Sequence, residues 1–239
     1  YLLLIRNPET RRSEIASLIA HGPAGLVDDL TGKPDQNGYG QRQDCRLDTY
    51  LSKDEVSSIL EAAATICKKL VSDTAMAKRS ATLYLLAGRN SSLLRLLNEL
   101  ISPPDDLSDF RTHWAEESKK FFDQYLTKRT VVLDQLERED MGDMIFSLVS
   151  LLKLRQFYVT LHGGNFEAAL ESIAQMGLLP NSELEVDEKA SKYHDLDRNL
   201  QMAFPTAIVA TVKCLHELYG NFKSQPQSSS PTGLARLKE

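Results

Sequence analysis

Three segments of the chain share one short pattern, in which an apolar run ends in glycine and asparagine follows within two residues. The segments are LLAGRN at 85–90, LHGGN at 161–165 and LYGN at 218–221. Glycine readily takes the left-handed backbone conformation that closes a helix. Asparagine accepts hydrogen bonds from the free amides at the start of the next helix. The pattern therefore predicts joints that reverse the chain and lay successive helices side by side.

Apolar residues recur at three- and four-residue steps through most of the chain, which is the spacing of one helix face. Residues 51–70 show it clearly, and Ser52 with Glu55 forms a capping-box signature at the start of that run. Asp73 and either Ser108 or Asp109 are predicted to begin later helices, because aspartate and serine are favoured N-caps. Alternating runs typical of β-strands are few, so a β fold is disfavoured.

The segment 144–161 is apolar on nearly all sides, which indicates a helix enclosed by several neighbours. Lys153, Arg155 and Gln156 near its middle argue against a membrane span and favour a buried helix. Further along, 186–203 is predicted as a more polar helix and 206–219 as the last one. Pro205 suits the first turn of that last helix, or alternatively kinks one long helix.

These patterns predict an all-α fold, an α-solenoid of stacked antiparallel helix pairs over residues 1–223. A helix pair alone cannot bury its apolar faces, so stacking explains the repeated joints better than a compact bundle does. Residues 31–46, with few apolar anchors, are expected to be a mobile loop. The Pro/Ser/Gln-rich segment 224–239 is expected to be a disordered tail. Since the chain begins at Tyr1 without methionine, we expect it to be a fragment of a longer protein.

Composition and motifs argue against an enzyme, a cofactor site and a nucleic-acid-binding surface. The net charge is -5 and the three cysteines form no CxxC, so neither a phosphate-binding surface nor a structural zinc site is indicated. His216 lacks a second histidine four residues later, and the glycines near Lys33 and Tyr39 fit neither a P-loop nor a dinucleotide fingerprint. The paired acids lie at expected helix starts and turns, where they favour the helix dipole.

Grooves between stacked helix pairs bind amphipathic helices of other proteins. We expect the partner-binding surface to lie where apolar and aromatic residues are densest. The predicted residues are Phe121, Phe122, Tyr125, Leu151, Leu154, Phe157, Tyr158 and Phe166.

Two stretches resemble one known family. RSATLYLLAGRNSSLLRLLNELISP at 79–103 and DRNLQMAFPTAIVATVKCLHELY at 197–219 are similar to a helix joint and to the last helices of the α-helical scaffold nucleoporins of the nuclear pore inner ring. These are the linker-type nucleoporins of the adaptor complex. The resemblance covers most of residues 1–223 and implies that they are the C-terminal part of the α-helical solenoid of a longer protein. It departs from the family at Arg89–Ser92, where an aromatic residue is expected.

The resemblance implies a non-enzymatic scaffold of the nuclear pore complex at the nuclear envelope that supports nucleocytoplasmic transport. It also implies other nucleoporins as partners, in particular a membrane-associated linker nucleoporin that supplies a short amphipathic helix. The alternatives are a soluble helical-repeat adaptor or vesicle-coat subunit, and an enzyme with an unrecognised helical active site.

Overall fold

The computed structural model describes residues 5–33, 43, 45–71, 73–123, 142–180 and 182–224. Across these residues the regular structure is helical and contains no β-strand, which confirms the all-α prediction. The α-helices are α1 (Pro8–His21), α2 (Ala24–Thr31), α3 (Lys53–Lys68), α4 (Thr74–Leu86), α5 (Asn90–Ile101), α6 (Asp109–Phe121), α7 (Gly142–His162), α8 (Phe166–Ala174), α9 (Val186–Tyr193) and α10 (Arg198–Ser224). Short 3₁₀ turns occur at Arg46–Thr49 and Glu183–Glu185.

The start of α3 is closed by the capping box that its sequence predicts. The Ser52 hydroxyl accepts a hydrogen bond from the Glu55 amide at 3.3 Å, and the Glu55 carboxylate accepts one from the Ser52 amide at 3.1 Å. The hydrogen bond from the Ser52 backbone lowers the pKa of Glu55, because it favours the charged carboxylate. The predicted N-caps Asp73 and Ser108 likewise accept hydrogen bonds from first-turn amides of α4 and α6.

The first predicted joint is a tight helix end between α4 and α5. Gly88 has φ +69°. Its amide donates to the Leu85 carbonyl at 3.1 Å, and the Arg89 amide donates to the Tyr84 carbonyl at 3.0 Å. These two bonds define a Schellman motif, which satisfies the last carbonyls of a helix. Asn90 is the first residue of α5 and makes no side-chain cap, so the expectation of an asparagine cap is wrong at this joint.

The second joint, between α7 and α8, repeats the same hydrogen bonds. The Gly164 amide donates to the Leu161 carbonyl at 3.0 Å, and the Asn165 amide donates to the Thr160 carbonyl at 3.2 Å. Here the Asn165 side chain does cap α8 by accepting from the Ala168 amide at 3.2 Å. Of the two adjacent glycines, Gly164 takes the left-handed conformation, with φ +76°.

The third predicted joint is not a turn. Gly220 and Asn221 lie within α10, which continues to Ser224. The pattern alone does not end a helix, because glycine at a helix interior costs only about 1 kcal/mol.

The boundary between the last two helices also differs from the expected one. α9 ends at Tyr193 and α10 begins at Arg198, so Pro205 lies inside α10. Pro205 therefore does not lie in the first turn of the last helix. A helix does pass through it, as in the second alternative, but that helix begins at Arg198 and does not include 186–193.

Successive helices pack mainly against near neighbours along the chain, as in a solenoid. α3 packs against α1 and α4, α5 against α4, α6 and α7, and α10 against α7 and α8. α7 contacts α5, α6, α8 and α10. It is long and apolar enough to span a membrane by length and composition, but in this fold it forms the centre of the second half of the stack.

The one charge buried on α7 is satisfied by the loop before α6. The Arg155 side chain is buried and donates hydrogen bonds to the Asp106 carbonyl and the Thr112 hydroxyl. Burial lowers the pKa of Arg155, since it penalises the charged form. Arg111 on α6 donates hydrogen bonds to the carbonyls of Glu99 and Leu100 at the end of α5, and it pairs with the Asp106 carboxylate of the same loop at 3.6 Å.

The two segments expected to lack fixed structure are described only at their edges. Thr31 and Gly32 are buried at the end of α2, and the Gln43 amide donates to the Lys33 carbonyl at 3.0 Å. Residues 34–42, 44 and 225–239 lie outside the described residues, so the predictions of a mobile loop and a disordered tail stay predictions.

Candidate protein-binding groove

Half of the residues predicted to contact a partner lie in the core. Leu151, Leu154, Phe157 and Tyr158 on α7 are all buried. Burial raises the pKa of the Tyr158 hydroxyl, which also has no hydrogen-bond partner. A partner would reach these side chains only if the helices around α7 separated, so the folded protein offers no surface at them.

The other predicted residues lie at the edge of the core. Phe121, Phe122 and Phe166 are half-buried and pack against it, whereas Tyr125 lies outside the described residues. Phe121 also lines a cavity of about 350 Å³ between α4, α5 and α6, together with Trp114 and the charged Lys78, Glu117 and Lys120. Lys120 and Glu117 pair across 2.8 Å. The charged side chains make this cavity a poor match for the apolar face of a helix.

A larger and more apolar groove lies between α9 and α10, and the sequence-based prediction missed it. Its volume is about 600 Å³. Apolar side chains from the segment after α8, from α9 and from α10 line it: Leu178, Leu179, Pro180, Val186, Ala190, Phe204, Pro205, Ile208 and Val212. The lining also includes the ionisable side chains of Lys189 and His194. Pockets of this size that are mostly apolar with a few polar groups are typical binding sites.

α10 has two apolar faces, and only one is covered. Small and medium residues at three- and four-residue steps face the core: Leu200, Ala203, Ala207, Ala210 and Cys214. A second series with the same spacing is Pro205, Ile208, Val212, Leu215, Tyr219 and Phe222. We call this second series the α10 stripe. Val212 is 60% exposed and Phe222 is 74% exposed.

The α10 stripe begins in the groove and continues beyond it. Pro205, Ile208 and Val212 line the groove, whereas Leu215, Tyr219 and Phe222 follow along the same helix. The stripe spans about 26 Å, from the rise of 1.5 Å per helical residue. Alternating three- and four-residue steps are the spacing by which two helices pack along their length.

Pro205 helps to position the opposite wall of the groove. Because proline has no amide hydrogen, it cannot bond to the carbonyl four residues earlier in the helix. That carbonyl belongs to Gln201, and the Tyr193 hydroxyl at the end of α9 donates to it at 3.0 Å. The proline thus frees the backbone acceptor that holds the end of α9 beside α10.

The described residues hold no cluster of His, Cys, Asp and Glu arranged to bind a metal ion. Cys67 and Cys214 are buried, and burial raises the pKa of both thiols. The distinctive surface among the described residues is therefore apolar, and it is suited to packing against another protein.

Comparison with known proteins establishes the family. The family described as Nup93/Nic96 matches residues 24–239, which is most of the chain. The chain belongs to the Nup93/Nic96 family. A search of curated proteins found no match.

Nup93/Nic96 membership confirms the resemblance given by the joint at 79–103 and the helices at 197–219. The protein is a scaffold nucleoporin, a component of the nuclear pore complex at the nuclear envelope. Family membership also indicates that it interacts with other nucleoporins. The groove and the α10 stripe lie within the residues that match the Nup93/Nic96 family.

Proposed function

We propose that this chain is a non-enzymatic scaffold of the nuclear pore inner ring that receives an amphipathic helix of a membrane-associated linker nucleoporin between α9 and α10. The observation that carries the proposal is the apolar groove and its continuation along α10. By holding such a linker, the scaffold would support the assembled pore and hence nucleocytoplasmic transport.

The dimensions of the surface suit a helix as the occupant. A helix with its side chains is about 10–12 Å wide, and one of four to five turns matches the length of the α10 stripe. Apolar side chains of the bound helix would pack between Ile208, Val212 and Leu215. At the Pro205 end of the α10 stripe, the bound helix would also contact side chains of α9. Helix-in-groove recognition of this kind uses apolar anchors at three- and four-residue steps.

The proposed scaffold role requires no catalytic residues. The family is a structural one, and the buried charge of Arg155 is held by hydrogen bonds to the Asp106 carbonyl and the Thr112 hydroxyl. The acidic groups with lowered pKa, such as Glu55 and Asp106, accept hydrogen bonds from nearby serines that hold helix starts and turns. These interactions stabilise the fold, which is what a scaffold needs.

Binding of a helical peptide to groove variants tests the proposal. The probe is the amphipathic segment of a linker nucleoporin, labelled for fluorescence anisotropy. Because charged groups placed in an apolar interface lose their hydration, the double variant Ile208→Glu/Val212→Glu is expected to weaken binding by about tenfold or more. The matched control is Val159→Glu on α7, which is 46% exposed, close to the 41% of Ile208.

Two outcomes would contradict the proposal. The first is equal binding by the groove variant and the control. The second is loss of binding on Phe121→Glu/Phe122→Glu with the groove variant unaffected, which would place the site beside α6. A pulldown from cell extract that recovers vesicle-coat proteins instead of nucleoporins would favour the soluble adaptor alternative.

A further inference from the structure

The wall of the groove formed by α9 is much less firmly packed than the helices around it. None of its residues is buried, whereas α8 and α10 each bury apolar side chains in the core. Lys189 and Tyr193 are half-buried, and the main backbone packing of α9 is with the 3₁₀ turn Glu183–Glu185 just before it. That turn also has no buried residue.

The C-terminal end of α9 is held tightly. The Tyr193 hydroxyl donates to the Gln201 carbonyl, and the Gln201 side-chain amide donates to the carbonyls of Tyr193, His194 and Leu196 at 2.9–3.3 Å. The Tyr193 ring also lies 5.5 Å from the Phe204 ring. Gln201 therefore both caps α9 and joins it to α10. We call this set of contacts the Gln201 clamp.

The N-terminal end of α9 is held by weaker contacts. Its N-cap residue makes no side-chain cap hydrogen bond, and Val186 and Leu184 are exposed. Halfway along the helix, the Lys189 ammonium donates to the Gly177 carbonyl. This contact comes from a single long and flexible side chain.

A second cavity, of about 340 Å³, adjoins the C-terminal half of α9, and its lining includes Phe146, Met176, Lys192, Tyr193 and Phe204. Tyr193 and Phe204 also line the groove of about 600 Å³. Open volume therefore surrounds the end of α9 that the Gln201 clamp holds.

We propose that α9 is a hinged wall that pivots on the Gln201 clamp and adjusts the width of the groove to its occupant. The N-terminal end swings away from α10 when a helix enters. It then closes on the apolar face of that helix through Val186 and Ala190, which line the groove. The identity of the helix that enters the groove rests on the proposed function, whereas the motion of α9 is a property of this chain alone.

Hydrogen exchange of the free protein, followed by mass spectrometry, tests the hinge directly. Amides in 186–193 are expected to exchange at least about tenfold faster than those in 166–174 and 203–214, because local opening exposes them without global unfolding. Equal protection of α9 and α8 in the free protein would overturn the hinge.

Substitution of the clamp sharpens the test. Gln201→Ala removes the hydrogen bonds from the side chain and is expected to speed exchange in 186–193 by about a further tenfold, with 166–174 unchanged. Gln156→Ala is the matched control, since Gln156 is exposed on α7 and its side-chain amide bonds only to Thr160. Exchange that rises equally in all helices of Gln201→Ala would indicate general destabilisation and contradict the pivot.

The failure of this inference is distinguishable from that of the proposed function. If α9 exchanges fast but the linker peptide does not bind, the hinge stands and the proposed partner is wrong. If the peptide binds wild type while α9 exchanges as slowly as α8, the groove is rigid and the hinge is wrong. If both hold, bound peptide is expected to slow exchange in 186–193.

Discussion

At the residue scale, two left-handed glycines determine where the helices reverse. Gly88 and Gly164 each have positive φ and donate the same hydrogen bond to a carbonyl three residues earlier. In both places an ideal Cβ would meet no atom within 4 Å. The requirement for glycine is therefore one of backbone conformation, with no steric contact involved.

Gly164→Ala is expected to lower the free energy of unfolding by about 1 kcal/mol, because L-residues are strained in the left-handed region. Urea unfolding followed by circular dichroism measures it. Gly163→Ala is the matched control at the adjacent position, which lacks positive φ, and a change within about 0.5 kcal/mol is expected there. A larger loss from the Gly163 variant than from the Gly164 variant would show that Gly163, and not Gly164, is the residue that must be glycine at this joint.

The carboxylate of Glu55 gives a prediction about pH. Its pKa is lowered in the folded state, so the carboxylate stabilises the fold above its ordinary pKa, and this contribution is lost as the pH falls through the lowered folded value. Glu55→Gln is expected to show a smaller loss of stability than wild type between about pH 6 and pH 3. Identical pH dependence of the two unfolding midpoints would show that the capping box does not discriminate between the two protonation states.

At the element scale, one buried arginine joins α7 to the loop before α6. Arg155 supplies donors to the Asp106 carbonyl and the Thr112 hydroxyl, both from outside its own helix. α7 also packs against four helices, and Ser147 near its start donates to the Asp197 carboxylate at 3.2 Å. In the loop, Asp106 also pairs with Arg111 at 3.6 Å.

Arg155→Met is expected to lower the free energy of unfolding by about 2–3 kcal/mol, since buried acceptors lose charged donors. Lys153→Met, an exposed change on the same helix, is expected to alter it by less than about 0.5 kcal/mol. Chemical denaturation of the two variants measures the difference. Equal effects would mean that the loop is held by other contacts.

Sequence patterns predicted the elements well where local chemistry decides them. The capping box at Ser52, the N-caps Asp73 and Ser108, and the enclosed helix α7 follow from residue type and spacing. The third joint failed because Gly220–Asn221 has no new apolar helix after it, and the helix continues through the glycine. The boundary at 194–197 was missed because it depends on Gln201 bonding back to three carbonyls, a contact made only after folding.

At the scale of the whole molecule, a solenoid buries some of its most apolar residues in its own core. Leu151, Leu154, Phe157 and Tyr158 were expected to contact a partner because they lie where apolar residues are densest, but density of apolar residues marks the core as readily as an interface. The signal that marks the groove is different. It is the second apolar series on α10, at helical spacing, opposite a core face made largely of small residues.

Lysines distinguish the two possible surfaces in the assembled pore. Lys189, Lys192, Lys213 and Lys223 lie on α9 and α10, whereas Lys78, Lys119 and Lys120 lie on α4 and α6. A lysine cross-linker therefore reports separately on the groove and on the cavity beside Phe121.

Cross-linking mass spectrometry on intact nuclear pore complexes tests most directly whether a linker helix binds between α9 and α10. If the amphipathic helix of a linker nucleoporin binds between α9 and α10, we expect it to form cross-links to Lys189, Lys192, Lys213 or Lys223. Cross-links from that helix to Lys78, Lys119 or Lys120, with none to the lysines of α9 and α10, would contradict it.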